Sequence, residues 1–228
     1  MEGFLKEWYG ILTFVLFDVF AIVLIVSLTY RWFFKRVLDF FVSLTSLVIV
    51  SPVIFVAYLY ATYLKKKGKI ERVLYTERYV GKKGKPIVLH AFAIGKIGKI
   101  LRLYDVFCGR ISFIGTLLMR AQDVAFLDAN EQDRMLVRPG LIHPLVCKGN
   151  KDIDYDKALQ VEVAYVNNYS LGKDCHYFFA WLLNKIRIEG DEYLGETRAD
   201  GYIETLLKEE RISQADYDAA IETHAQTA

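Results

Sequence analysis

Three groups of residues in this 228-residue chain could do chemistry: cations suited to phosphate, carboxylates spaced for a divalent cation, and a histidine and cysteine four apart. Arg78 and Arg138 suit an anion, because a guanidinium meets a phosphate or carboxylate with two parallel hydrogen bonds. An ion pair that stabilises the fold would use the same fork, so both readings stand. Lys99 offers a phosphate a point charge, or is a solvated residue at a helix start. Asp152, Asp154 and Asp156 alternate as in a cation loop. They lack the mid-loop glycine and closing glutamate of an EF-hand, which favours a solvated turn. His143 and Cys147 enclose Pro144 and have no second pair nearby, so zinc is not expected. Asp105 falls inside a helical pattern and reads as a solvated or capping acid.

The elements that must position these groups begin with two apolar stretches. Residues 37–64 form a run of about 28 residues, where a bilayer span needs ~20. Arg31, Lys35 and Arg36 precede the run, Lys65, Lys66, Lys67 and Lys69 follow it, Asp39 lies near its start and Ser51-Pro52 at its middle. Lys/Arg excess belongs on one side of a membrane, and a straight span would carry one of these clusters across. A helix that breaks at Ser51-Pro52 and returns to the same face keeps both clusters together, and proline favours such a break. An ordinary span with a proline kink is the alternative. Upstream, residues 10–30 form a run with a single acid, Asp18, and its basic flank is the C-terminal one. This predicts a transmembrane helix with the N-terminus outside and Arg31 inside. There is no basic leader and no small-residue cleavage site, so a cleaved signal peptide is not expected. Asp18 either lies near an interface or faces a partner helix.

The net charge of +2 conceals a division: residues 31–110 carry about twelve more basic than acidic groups, and residues 111–228 about eight more acidic than basic. Beside a membrane, a basic segment suits anionic headgroups and phosphorylated substrates. No nucleic-acid partner is expected, since no reading module accompanies the charge. Three widely spaced cysteines, Cys108, Cys147 and Cys175, argue for reduced thiols. Further along, residues 71–80 and 86–92 read as two strands joined by a Gly/Lys/Pro turn. Residues 99–108 read as an amphipathic helix ending at Gly109. Helices are also expected from Tyr155 and from Asp174, the second with Tyr177, Phe178, Trp181 and Leu182 as a broad apolar surface. The tail reads as two short acidic helices, the second opened by Ser213 and Asp216 as a capping box. The expected architecture is α+β: a transmembrane helix (1–30), a mostly helical membrane-associated domain with a small β-hairpin (31–190, its re-entrant helix at 31–69), and an acidic helical tail (191–228).

The order of these fragments resembles the bacterial sugar transferase family, the polyprenyl-phosphate phosphoglycosyl transferases that initiate capsule, O-antigen and exopolysaccharide assembly. Lys35-Arg36, Asp39 and Ser51-Pro52 match its re-entrant membrane helix. Thr76-Glu77-Arg78 and Gly81 match a Gln-Glu-Arg-x-Gly element, and Gly84-Lys85-Pro86 a Gly-Lys-Pro turn. Residues 100–115 resemble its Leu-Pro-Gln-Leu-Trp-Asn-Val-Leu-Lys-Gly-Asp-Met-Ser-Leu-Val-Gly segment. Arg134 with Arg138-Pro139-Gly140, and Tyr165-Val166-Asn167-Asn168-Tyr169-Ser170 with Asp174, match two later elements. The resemblance implies a bacterial inner-membrane protein with its soluble part in the cytosol, and a polyprenyl-phosphate lipid as ligand.

Active members of that family carry an Asp-Glu pair before the Leu-Pro-Gln-Leu helix. The aspartate attacks the β-phosphate of a nucleotide sugar while Mg²⁺ neutralises the diphosphate. Here Gly98-Lys99 stand at the pair, and no acid occurs between Glu77 and Asp105. The Lys-Phe-Arg-Thr strand end has become Ala91-Phe92-Ala93-Ile94, and Gly-Pro-Arg-Pro has become Gly115-Thr116-Leu117-Leu118. Loss of three phosphate- or metal-handling elements implies a non-catalytic member with no catalytic residue, no metal ligand and no cofactor, supporting an active transferase or another glycan-assembly partner. Arg78, Arg138 and Lys99 are its residual anion contacts. The rival expectation is an active enzyme, using Mg²⁺ and an unrecognised nucleophile to move a sugar-1-phosphate from a UDP-sugar to undecaprenyl phosphate.

Overall fold

The computed structural model describes residues 2–145, 155–186 and 202–225. Two long helices open the chain, α1 (Glu2–Thr29) and α2 (Lys35–Lys66), joined by a π-helical segment, Tyr30–Phe34. By length and composition both are apolar enough to cross a membrane. They differ in what they touch. No residue in the Trp8–Ile25 stretch of α1 is buried among the described residues. In contrast, α2 buries Lys35, Asp39, Ser43, Ala57 and Ala61, and steps of four residues keep one helix face in line. Phe40 in its first half stacks on Phe107 with ring centroids 4.9 Å apart, and Tyr58 in its second half meets Phe92 at 6.4 Å. Both halves of α2 therefore touch the same soluble body.

Where the sequence expects a break, the helical backbone continues through Pro52. Proline has no N–H to give the carbonyl four residues back, that of Val48. The neighbouring Ser51 hydroxyl donates to this same carbonyl at 2.8 Å. The acceptor that Pro52 orphans is thus satisfied inside the helix, which explains how a Ser-Pro step is accommodated in apolar surroundings.

The soluble body starts with the expected hairpin, β1 (Leu74–Val80) antiparallel to β2 (Pro86–Phe92), Leu74 opposite Phe92 and Val80 opposite Pro86. Its turn exposes Lys82, Lys83 and Lys85. A 3-10 stretch, Gly95–Leu101, then leads into α3 (Arg102–Phe107), a later and shorter start than the periodicity predicts. Gly109 ends α3 at φ +79°, its N–H on the Val106 carbonyl at 2.9 Å and the Arg110 N–H on that of Asp105 at 3.0 Å. This is a Schellman closure.

Two three-residue strands, β3 (Ser112–Ile114) and β4 (Gly140–Ile142), pair in parallel with Ser112 beside Gly140. They are too short for alternation to reveal them in the sequence. Between them lie α4 (Ala121–Val124) and a 3-10 turn, Glu131–Leu136. The helices α5 (Tyr155–Asn168), α6 (Leu171–Ile186), α7 (Tyr202–Lys208) and α8 (Gln214–Ala225) fall where expected to within a few residues. At α8 the capping box forms: the Asp216 N–H donates to Ser213 Oγ at 3.2 Å and the Ser213 N–H to Asp216 Oδ2 at 3.3 Å.

One core gathers Leu89, Val106, Ile111, Phe113, Ile142, Tyr165 and Val166 between the hairpin, α3, the parallel pair and α5. A second joins Met119, Leu127 and Leu159 to Tyr202 and Leu206 of α7. The tail helices are thereby packed onto the body, while the expected boundary at residue 190 lies outside the described residues. The architecture is α+β, mostly helical, with a small antiparallel hairpin and apolar N-terminal helices.

Candidate anion site

The basic start of α2 is held by three partners in the soluble body. Arg36 donates from Nη1 to the Val106 carbonyl and from Nη2 to that of Phe107, each at 3.0 Å, so it caps the C-terminus of α3. A cation there also meets the negative end of the helix dipole. A β-carbon at Gly109 would lie 2.3 Å from the Arg36 guanidinium and push it off these carbonyls, and the left-handed φ of +79° independently favours glycine. Asp39 accepts the Ser112 hydroxyl and, at 3.0 Å, the Phe113 N–H. Lys35 pairs with Asp174, which also accepts the Tyr165 hydroxyl at 2.7 Å. Burial and then the Asp174 charge push the Tyr165 hydroxyl well above its ordinary pKa, so it remains a donor. Arg31 completes the socket by donating to the Asn167 carbonyl at 2.8 Å and lying over the Tyr169 ring at 4.9 Å. The Tyr-Val-Asn-Asn-Tyr-Ser element thus holds the base of the membrane segment.

Arg138 comes to the same region by a different route. Gly140 donates to the Thr116 carbonyl at 2.8 Å and Ser112 to the Pro139 carbonyl at 2.8 Å, which fixes the Arg-Pro-Gly element beside β3. Gly115 and Gly140 face each other so closely that a β-carbon on either would meet backbone at 2.3 Å or less. The strand crossing therefore admits only glycine, and Arg138 is delivered next to Arg36 and the hairpin turn. Arg138 lies near enough to both Arg36 and Lys82 for the like charges to repel. Partial burial, then Arg138 and Lys83, hold the Lys82 ammonium below its ordinary pKa. Half-buried, Arg138 makes no hydrogen bond or ion pair with any described residue. Asp39 offsets part of the charge at Arg36, and the repulsion that Arg138 exerts on Arg36 and Lys82 is what an anion would relieve.

The two other expected anion contacts lie elsewhere. Arg78 is an exposed β1 residue opposite Val88, and Lys99 is half-buried in the 3-10 stretch. Arg134 is structural: it lies 2.7 Å from the buried Glu162 carboxylate and donates to the Leu117 carbonyl at 2.6 Å. Glu162 also accepts the Leu117 N–H, at 2.5 Å. Lys82 was missed in the sequence because a lysine-rich turn gives no sign of what faces it.

Gly98-Lys99, where the resemblance expects an acidic pair, carry no carboxylate. A β-carbon at Gly98 would sit 2.0 Å from the Phe92 carbonyl oxygen, so backbone fills the space a side chain would need. The nearest acids in sequence are committed. Glu77 accepts from Arg102 at 2.8 Å. Asp105, expected to be solvated, is instead fully buried, and it accepts the His90 N–H at 2.8 Å, pairs with His90 Nδ1 at 2.9 Å and binds Arg110 at 2.7 Å. The correction has a simple cause: α3 packs on β2, and the buried acid ties the two together. Magnesium would need convergent carboxylate oxygens. A glycine and a lysine at the pair do not fit it, and among the described residues no three His, Cys, Asp or Glu side chains converge.

His143 is buried with neither ring nitrogen hydrogen-bonded, and Cys147 lies outside the described residues. Asp152 and Asp154 also lie outside them, while Asp156 pairs with Arg211 at 2.9 Å.

No curated protein matches the chain. A family model does match, over residues 93–186, and its description is bacterial sugar transferase. That span contains Gly98-Lys99, the α3 closure, both glycines of the strand crossing, Arg138 and the socket for α2. It leaves out the hairpin and the Lys-Arg and Ser-Pro elements. Residues 93–186, which carry most of this candidate site and the dock for α2, are similar to the bacterial sugar transferase family.

Proposed function

We propose that this chain is a non-catalytic phosphoglycosyl transferase homologue that supports the initiating membrane step of bacterial surface polysaccharide assembly as partner or regulator of an active transferase. It sits in the inner membrane with its soluble body in the cytosol, and Arg138, Arg36 and Lys82 hold the phosphate of a polyprenyl lipid without transferring a sugar to it. The carrying observation is Gly98: the nucleophile's place has no side chain and no room for one. In this reading α1 crosses the bilayer and α2 re-enters, bending at Ser51-Pro52. Contact of both halves of α2 with one soluble body supports that course, since a straight span would take the Tyr58 end away from it.

The decisive experiment incubates purified protein with Mg²⁺, a UDP-sugar and undecaprenyl phosphate. No UMP is expected, and release of UMP without a partner would sink the proposal. Labelling of single cysteines placed at Phe34 and Gly68, in a chain freed of its own cysteines, should report one side of the membrane. Opposite sides would replace re-entry by a kinked span.

One observation favours the rival, an active transferase. His90 pairs through Nδ1 with buried Asp105, and its ring is 32% exposed, leaving Nε2 able to act as a nucleophile. Attack on the β-phosphorus would break its bond to the bridging oxygen and release UMP. UMP release abolished by His90→Ala would establish that reading.

A further inference from the structure

Asp18 lies in the middle of α1, exposed, with no hydrogen bond or ion pair to any described residue. Trp8 and Tyr30, residue types that settle at membrane interfaces, bracket it by ten and twelve residues. At 1.5 Å per residue that places Asp18 about 15 Å from one and about 18 Å from the other. This is the centre of a hydrocarbon core about 30 Å thick. A carboxylate at that depth calls for a cation or a strong donor beside it.

Neither apolar stretch supplies a cation. There is no Lys, Arg or His between residues 7 and 30, and none from 37 to 64. Arg31, Lys35 and Arg36 are engaged by the soluble body. A second copy would bring only another Asp18 at that depth, and no cation. The complement must come from a different protein.

We infer that α1 docks, through the face carrying Asp18, Val15 and Ile22, on a transmembrane helix of another protein that presents a Lys, Arg or His at the bilayer midplane. This deepens the partner role proposed above and rests on α1 crossing the membrane. That premise has its own test, resistance of the chain to alkaline carbonate extraction.

The experiment uses the full chain in native membranes, with a photo-crosslinking benzophenone side chain at Ile22 on the Asp18 face or at Phe20 on the opposite face. Ile22 should crosslink to a membrane segment that contains a Lys, Arg or His. The yield should fall at least tenfold in Asp18→Leu and be kept in Asp18→Glu, while Phe20 should capture lipid. A crosslink to a second copy, a captured segment without a cation, an unchanged yield in Asp18→Leu, or lipid alone at both positions would each overturn the inference. UMP release by the purified chain would sink the non-catalytic reading and leave this docking intact.

Discussion

A β-carbon at Gly98 would overlap the Phe92 carbonyl, so Gly98→Asp cannot simply rebuild the missing nucleophile. We expect that variant to release no UMP and to lose about 2 kcal/mol or more of stability, since overpacking against backbone is among the costly substitutions. Thermal unfolding in detergent reads the loss, and a stable Gly98→Asp protein with UMP release would refute the steric argument. His143 gives a second prediction at this scale. Burial, then the Arg134 charge, lowers its pKa to about 4, from 6.5 for a free histidine. Between those values the unfolded chain binds the proton and the folded chain does not, so stability falls as pH drops from about 6.5 to about 4. The effect is on the order of 3 kcal/mol. Glu162, pushed up by burial, contributes with the opposite sign, so the comparison with a variant isolates the histidine. His143→Leu also removes two unpartnered ring nitrogens, and it should raise the unfolding temperature more at pH 5 than at pH 7. Parallel pH profiles for the two proteins would refute it.

Among the elements, the dock between α2 and α6 was only half legible. The Lys-Arg pair, Asp39, and the Tyr-Val-Asn-Asn-Tyr-Ser element with Asp174 could each be recognised by order and type. Nothing in a one-dimensional pattern says that residue 35 meets residue 174, because that pairing depends on how the π-helical segment turns the chain. The hairpin and the later helices were legible because their periodicity is local. The parallel strand pair and the burial of Asp105 were not, since each is decided by a distant neighbour. Asp174 carries the dock: it is 6% exposed at the side chain and takes Lys35 and Tyr165 together. Asp174→Ala should cost about 3–5 kcal/mol, the penalty of leaving a buried ammonium unpaired. Lys35→Met should cost less, because Tyr165 still donates to the carboxylate. Protease sensitivity of the 66–74 connection and thermal unfolding measure both, and equal losses would show that the ion pair is not what holds α2.

At the scale of the whole molecule, the charge division becomes a spatial one. The basic excess of residues 31–110 belongs to the base of α2 and the hairpin turn, while the acidic excess includes tail helices packed on α4. Arg138 is the exception that links them, a cation contributed by the acidic half to the basic site. Its role can be separated from folding, because it has no described partner to lose. Arg138→Ala should therefore leave the unfolding temperature within about a degree and weaken binding to vesicles bearing undecaprenyl phosphate about tenfold, or ~1.4 kcal/mol. Binding to vesicles bearing the uncharged polyprenol should be weak for both proteins. Raising the salt concentration should weaken the wild type more than the variant, since a phosphate contact is screened. Arg134→Ala is the contrasting control. It strands the Glu162 carboxylate in the core and should destabilise the fold by about 3 kcal/mol or more. If Arg138→Ala unfolds like Arg134→Ala, the guanidinium is structural and the site loses its best anion contact. If it binds the phosphorylated lipid as wild type does, the cations converge for some other anion.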